Sequence, residues 1–272
     1  MTTSEPFQVE AGESRLAGER RSGDGPTVVL LHAGVTDRRS WHQVASELGD
    51  VATVVSYDQR GFGETPPSKG PFSHVADLLA VLDHLGDGPA WLVGSSMGGG
   101  VALDAALTAP ERLAGLVLIA PAVSGAPEPE LDSDTAHFDD LLGQAIGSGD
   151  MEEVNRLETW LWLDGPGQPE GRVSGPVREL TKVMSALILA KGVPEDAGAS
   201  GVEAWNRLGE VSLPVTVACG ELDVPFLVER SRQLAERLPS ARYRLLDGVA
   251  HLPQLERPSA VSELIAWALR SG

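Results

Sequence analysis

The sequence predicts an α/β fold: a mostly parallel central sheet, helices on both faces, and an all-helical insertion. Three observations lead there. Several short runs are rich in β-branched and aliphatic residues and apolar on both faces, as strands must be when helices cover both sides of a parallel sheet. Between them lie stretches with apolar residues at three- and four-residue spacing, the pattern of amphipathic helices. The two kinds alternate, which implies βαβ units, except from about 122 to 208, where three helical patterns follow one another with no strand between.

The opening FQVEAGESRLAGERRSGDGP reads as a hairpin-like pair feeding the first buried strand, TVVLLH at Thr27–His32. Further strands are expected at Val51–Tyr57, Ala90–Gly94, Leu113–Ala120, Pro214–Gly220 and Ala241–Leu246. Helices are expected over Val75–Leu85, Gly99–Leu113, Phe226–Leu238 and Ser259–Arg270. Within the interruption, HFDDLLGQAI, MEEVNRLETWLWL and VRELTKVMSALILA carry helical spacing. The Pro- and Gly-rich joints SGAPEPELD, DGPGQPEG and KGVPEDAGASG punctuate them. The expected division is an α/β core of residues 1–121 and 209–272 with a helical cap over 122–208.

Bulk properties narrow the function. The chain has 272 residues, enough for a full core, and is 42% hydrophobic and 22% charged. A net charge of −18 argues against nucleic acid and anionic membrane surfaces, which would repel it. The single cysteine, Cys219, allows no internal disulfide and fits a reducing compartment. No basic segment followed by an apolar stretch opens the chain, and no apolar run approaches the ~18 residues of a membrane helix. A cytoplasmic protein acting on a small molecule is expected.

The chemistry starts at WLVGSSMGGGVALDAAL, Trp91–Leu107, where a strand pattern meets a helix pattern at Gly94-Ser95-Ser96-Met97-Gly98. Ser96 is the centre of G-x-S-x-G. There a serine sits on a sharp strand-to-helix turn, and the flanking glycines remove side chains that would clash. A serine hydroxyl needs a base to take its proton. Of six histidines, His42, His74 and His84 read as helix-edge or surface residues and His137 as part of the insertion. His251, in LLDGVAHLPQLERP after the last strand, is free to swing over the sheet's carboxyl edge. The acid that orients it is expected to be Asp223 in VACGELDVP, with Asp247 and Glu221 as rivals. Asp247 precedes a glycine, which is turn chemistry.

The order Ser96, Asp223, His251, together with the serine elbow, resembles the α/β-hydrolase superfamily of serine hydrolases. The resemblance covers nearly the whole chain and weakens through Ala122–Leu208. It also includes LLHAG, similar to the family's His-Gly loop after the third strand, with Ala33 where glycine is usual. The resemblance implies an oxyanion hole from the N–H groups of Met97 and Gly34, with Val35 as the alternative to Gly34. YDQRGFGET resembles the family's Asp-x-Arg-Gly-x-Gly turn, which assigns Asp58 and Arg60 structural roles.

These residues together point to a small, largely apolar carboxylic ester or lactone cleaved through an acyl-enzyme, with no metal or organic cofactor. Carbon–carbon bond hydrolysis or perhydrolysis on the same triad, and a catalytically silent scaffold for ligand or protein binding, are the alternatives. A serine where aspartate would be needed disfavours the family's epoxide hydrolase and haloalkane dehalogenase branches. In the insertion, Trp160, Trp162, Met184 and Leu187, with Ile188, either line an apolar pocket or pack the helices together.

Overall fold

The chain opens with the antiparallel pair β1 (Ser4–Ala11) and β2 (Ser14–Arg21), followed by the buried β3 (Thr27–Leu31). Helix α1 (His42–Leu48), β4 (Thr53–Tyr57), α2 (His74–Leu85), β5 (Ala90–Ser95), α3 (Met97–Thr108) and β6 (Leu113–Ile119) come next. Helices α4 (Ser133–Ser148), α5 (Met151–Thr159), α6 (Pro176–Lys191) and the short α7 (Ala204–Arg207) separate β6 from β7 (Val215–Gly220). The chain closes with α8 (Pro225–Arg237), β8 (Ala241–Leu246), the short α9 (Pro253–Glu256) and α10 (Pro258–Ser271). This computed structural model describes residues 4–68, 70–86, 88–192 and 201–272. The joint KGVPEDAGASG lies mostly outside the described residues.

The strands form one sheet in the order β1-β2-β4-β3-β5-β6-β7-β8, antiparallel only where β2 meets β1 and β4. The two-residue period of a strand splits each central run between two cores. Val29, Leu31, Leu92, Leu116 and Leu118 face α2 and α3. Val28, Leu30, Val93, Val117 and Ile119 face α1 and α10. This is why the runs are apolar without alternation. Edge strand β8, in contrast, mixes partly buried with exposed positions and has no fully buried one.

Two expected helices differ from the sequence reading. The one expected to reach Leu113 stops at Thr108, because Ala109 precedes Pro110 and is driven out of the helical region, to φ −144° and ψ 58°. MEEVNRLETWLWL is α5 followed by a π-helical turn, Trp160–Asp164. That turn ends at Gly165, φ 98°. Buried Asp164 anchors it, accepting from the amides of Gly171 (2.9 Å) and Val173 (2.8 Å) and pairing with Arg178 at 2.6 Å.

The helical segment packs on the sheet's carboxyl-end loops through two clusters. One joins Phe138, Val154 and Leu157 to Val224 and Leu227, and the other joins Leu163 and Met184 to Ala33, Leu252 and Leu255.

Candidate active site

Ser96 stands alone on the corner between β5 and α3, at φ 50° and ψ −114°. A non-glycine residue held there costs about 1–3 kcal/mol and persists only when its surroundings impose it. They do so here. The Ser96 amide donates to the Ile119 carbonyl at 2.8 Å, and its carbonyl accepts from the amides of Gly100 and Ala122, both at 3.0 Å. The glycines are a matter of space. A Cβ on Gly94 would lie 2.5 Å from the Gly98 carbonyl carbon, and one on Gly98 would lie 2.6 Å from that of Leu31. Ser95 is fully buried at the end of β5, so only Ser96 reaches the cavity.

Asp223 follows β7 and His251 follows β8, so both share the sheet's carboxyl edge with Ser96. His251 Nδ1 lies 2.8 Å from Asp223 Oδ2, and both side chains are buried. A carboxylate only accepts, so Nδ1 carries a proton and donates it. The amide of Val224 donates to Asp223 Oδ1 at 2.7 Å. The Cys219 thiol donates to Oδ2 at 3.5 Å, and burial pushes its pKa far up, so it stays S–H. The rivals stand apart. Asp247 is exposed in its turn, and Glu221 accepts the Gly248 amide at 2.9 Å.

On the loop after β3, Gly34 approaches Met97, since a Cβ at Gly34 would come 3.7 Å from Met97 Sδ. Val35 joins the apolar cluster around Leu163 and Met184. His32 is structural. Its Nε2 accepts the Gln59 amide at 3.0 Å, its Nδ1–H donates to the Ala33 carbonyl at 2.9 Å, and burial lowers its pKa. Asp58 is occupied by the amides of Arg38 (2.9 Å) and Glu64 (2.8 Å), and Arg60 by Asp77.

A cavity of about 480 Å³ opens beside Ser96, bounded also by Met97, Trp162, His74, Asp104 and Arg230. Of the four apolar candidates, Trp162 alone lines it, and its ring also lies tilted against His251, at 4.6 Å between centroids and 46° between planes. Trp160 packs edge-on against Phe138 and donates its Nε1–H to the Gln168 carbonyl at 2.8 Å. Met184 is fully buried between the helices and the sheet-edge loops, Leu187 is exposed, and Ile188 is buried.

Three features have no readable sequence signal. His74 is half-buried rather than at the surface, and its Nδ1 is buried without a protein partner. Burial pushes its pKa down to about 4. Asp104 and Arg230 share its cavity although they are far apart in sequence. Arg172 ties the π-helical turn to the loop bearing His251. It donates to the carbonyls of Leu163 (2.8 Å), Asp164 (2.7 Å) and Gly248 (3.3 Å) and pairs with Glu256 at 2.5 Å. Glu256 in turn accepts the Ala250 amide at 2.7 Å.

The family model for the alpha/beta hydrolase fold matches residues 26–258. The chain is 26% identical over 250 residues to a pimeloyl-[acyl-carrier protein] methyl ester esterase of Aeromonas salmonicida, covering 91% of this chain and 96% of that protein. It is 24% identical over 270 residues to a 2-hydroxy-6-oxo-6-phenylhexa-2,4-dienoate hydrolase of Burkholderia cepacia, covering 92% and 90%. The solved structure of a thermophilic esterase from Thermogutta terrifontis superposes with a TM-score of 0.76 at 25% identity over 98% of both chains. With a serine elbow, a sheet of this order and a family match along most of its length, the chain belongs to the α/β-hydrolase family, among relatives that are hydrolases.

Proposed function

We propose that this protein is a serine hydrolase that cleaves a small, largely apolar carboxylic ester or lactone through Ser96, His251 and Asp223. The observation that carries this reading is the forced corner at Ser96, where three backbone hydrogen bonds hold a costly conformation at the edge of a cavity.

His251 Nε2 takes the Ser96 proton as Oγ attacks the carbonyl carbon. The N–H groups of Gly34 and Met97 stabilise the oxyanion, each typically worth about 3 kcal/mol. His251 then protonates the leaving oxygen, which departs as the alcohol. A water, deprotonated by His251, attacks the acyl-enzyme, and the acid leaves with Ser96 restored. Asp223 keeps the proton on Nδ1 and stabilises the imidazolium. Residues 122–208 act as a cap, with Trp162 as the cap side chain that faces both His251 and the cavity.

Whole-length similarity to an enzyme named for hydrolysis of a dienoate favours carbon–carbon bond cleavage as the second reading. Turnover of a panel of p-nitrophenyl esters, lactones and dienoic ring-fission products separates the two. Esters or lactones turned over best, with little action on ring-fission products, are expected. The reverse order would overturn the ester reading.

A further inference from the structure

The cavity beside Ser96 is apolar along most of its wall, yet three polar groups on it lack full protein partners. Asp104 is buried, and the Ser124 hydroxyl donates to its Oδ1 at 2.6 Å. That hydroxyl is itself fixed by accepting the Ala204 amide at 3.0 Å. Among the described residues nothing donates to Asp104 Oδ2. Arg230 donates one N–H to the Pro127 carbonyl at 2.5 Å, lies over the Phe226 ring and feels the charge of Glu128, but no described carboxylate is within hydrogen-bond or ion-pair distance of it. His74 Nδ1 is the third such group.

Asp104 Oδ2 faces the mostly apolar cavity with no donor from the described residues, and a ligand that displaces the solvent there must supply a donor or leave a carboxylate oxygen unsatisfied at a cost. Such a site rejects an analogue lacking the donor far more strongly than it rejects a missing methylene. The two charged walls also set the ligand's charge. An ammonium end would suit Asp104 and oppose Arg230, and a carboxylate end would do the opposite. A neutral group with both a donor and an acceptor suits both. Asp104 is eight residues beyond Ser96 along α3, about 12 Å at the helical rise, so this group is well separated from the reacting carbonyl.

We infer that the cavity recognises an ester or lactone whose apolar chain carries an amide, with the N–H on Asp104 and the carbonyl on Arg230. This rests on the serine-hydrolase reading and specifies its substrate class.

The test uses matched p-nitrophenyl esters: a hexanoic ester ending in an acetamide and the nonanoic ester of equal chain length. Because the chain could enter on either side of the ester bond, a second pair carries the same two ends on the alcohol. Equilibrium binding is measured on Ser96→Ala, and kcat/KM on the protein with Ser96 intact. The amide-ended member of at least one pair is expected to bind and react tenfold or more better than its apolar match. Arg230→Met and Asp104→Asn should each shrink that ratio severalfold, with Arg230→Met as the variant outside the Asp104–Ser124–Ala204 chain. Ratios near one in both pairs, with fluorophosphonate labelling intact, would overturn the amide assignment and leave the hydrolase reading standing. Absence of labelling and turnover on every ester would remove the hydrolase reading and the assignment with it.

Discussion

The sheet's carboxyl edge and the helical segment between β6 and β7 both border the cavity, but they contribute in different ways. At the sheet edge, position is set by backbone: Ser96 by three main-chain hydrogen bonds, and Asp223 by the Val224 amide. In the helical segment, position is set by side chains in contact with distant parts of the chain, such as Trp162 on His251 and Arg172 on Glu256. Backbone constraints demand particular residue types at fixed spacing. Packing constraints demand only suitable volume and polarity, and many sequences meet them. The difference teaches that the edge admits few residue types at each position and the helical segment admits many.

Substitutions on the two sides sharpen this contrast. Asp223→Asn replaces one of the two accepting oxygens with an NH2 donor, which favours the His251 tautomer with its proton on Nε2, and kcat should fall by about 10⁴-fold with folding retained. Asp247→Asn should stay near wild type in the same ester assay. A large loss in Asp247→Asn would shift the acid to the rival position.

Met184→Ala opens a void where the helical segment meets Ala33 and Leu252. A stability loss of about 3 kcal/mol in denaturant melts is expected, with the relative rates on different esters little changed. A changed rate order without lost stability would mean that Met184 touches substrate after all.

Trp162→Ala removes the ring that faces both His251 and the cavity. A drop in kcat/KM of about tenfold is expected, the scale of one aromatic ring contact. Unchanged kinetics would leave the segment without a part in the reaction.

A smaller effect concerns His74. Its folded pKa of about 4 is below the ~6.5 of an unfolded histidine, so between those values the unfolded chain binds the extra proton. The stability contributed by neutral His74 is therefore complete above about pH 6.5 and lost as pH falls toward 4. Relative to wild type, His74→Gln should gain about 1–2 kcal/mol as pH falls from 7 to 4.5, in urea melts at each pH. A gap constant with pH would contradict a half-buried ring whose buried Nδ1 has no protein hydrogen-bond partner.

The same contrast explains what was legible in the sequence. Strands β3 to β7 were readable because burial on both faces leaves runs such as TVVLL and VTVACG. Ser96 and Asp223 were readable because each follows such a run, His251 because it follows the last strand, and the corner at Ser96 because it needs glycine at 94 and 98. The π-helical turn at Trp160 was not, since it is shaped by Asp164 meeting Arg178 and two amides further along the chain. Met184 and Trp162 looked alike as large apolar residues in helical patterns. Only tertiary packing buries one and turns the other toward the cavity. Asp104 was not singled out and His74 read as a helix-edge or surface residue, because only the tertiary fold brings them to one cavity wall.

The measurement to make first is fluorophosphonate labelling, with the modified residue located by mass spectrometry, alongside p-nitrophenyl butyrate hydrolysis by wild type and Ser96→Ala. One label on Ser96, with labelling and turnover both abolished in Ser96→Ala, is the predicted result. A label on another residue, or turnover that survives in Ser96→Ala, would contradict the assignment of Ser96 as nucleophile.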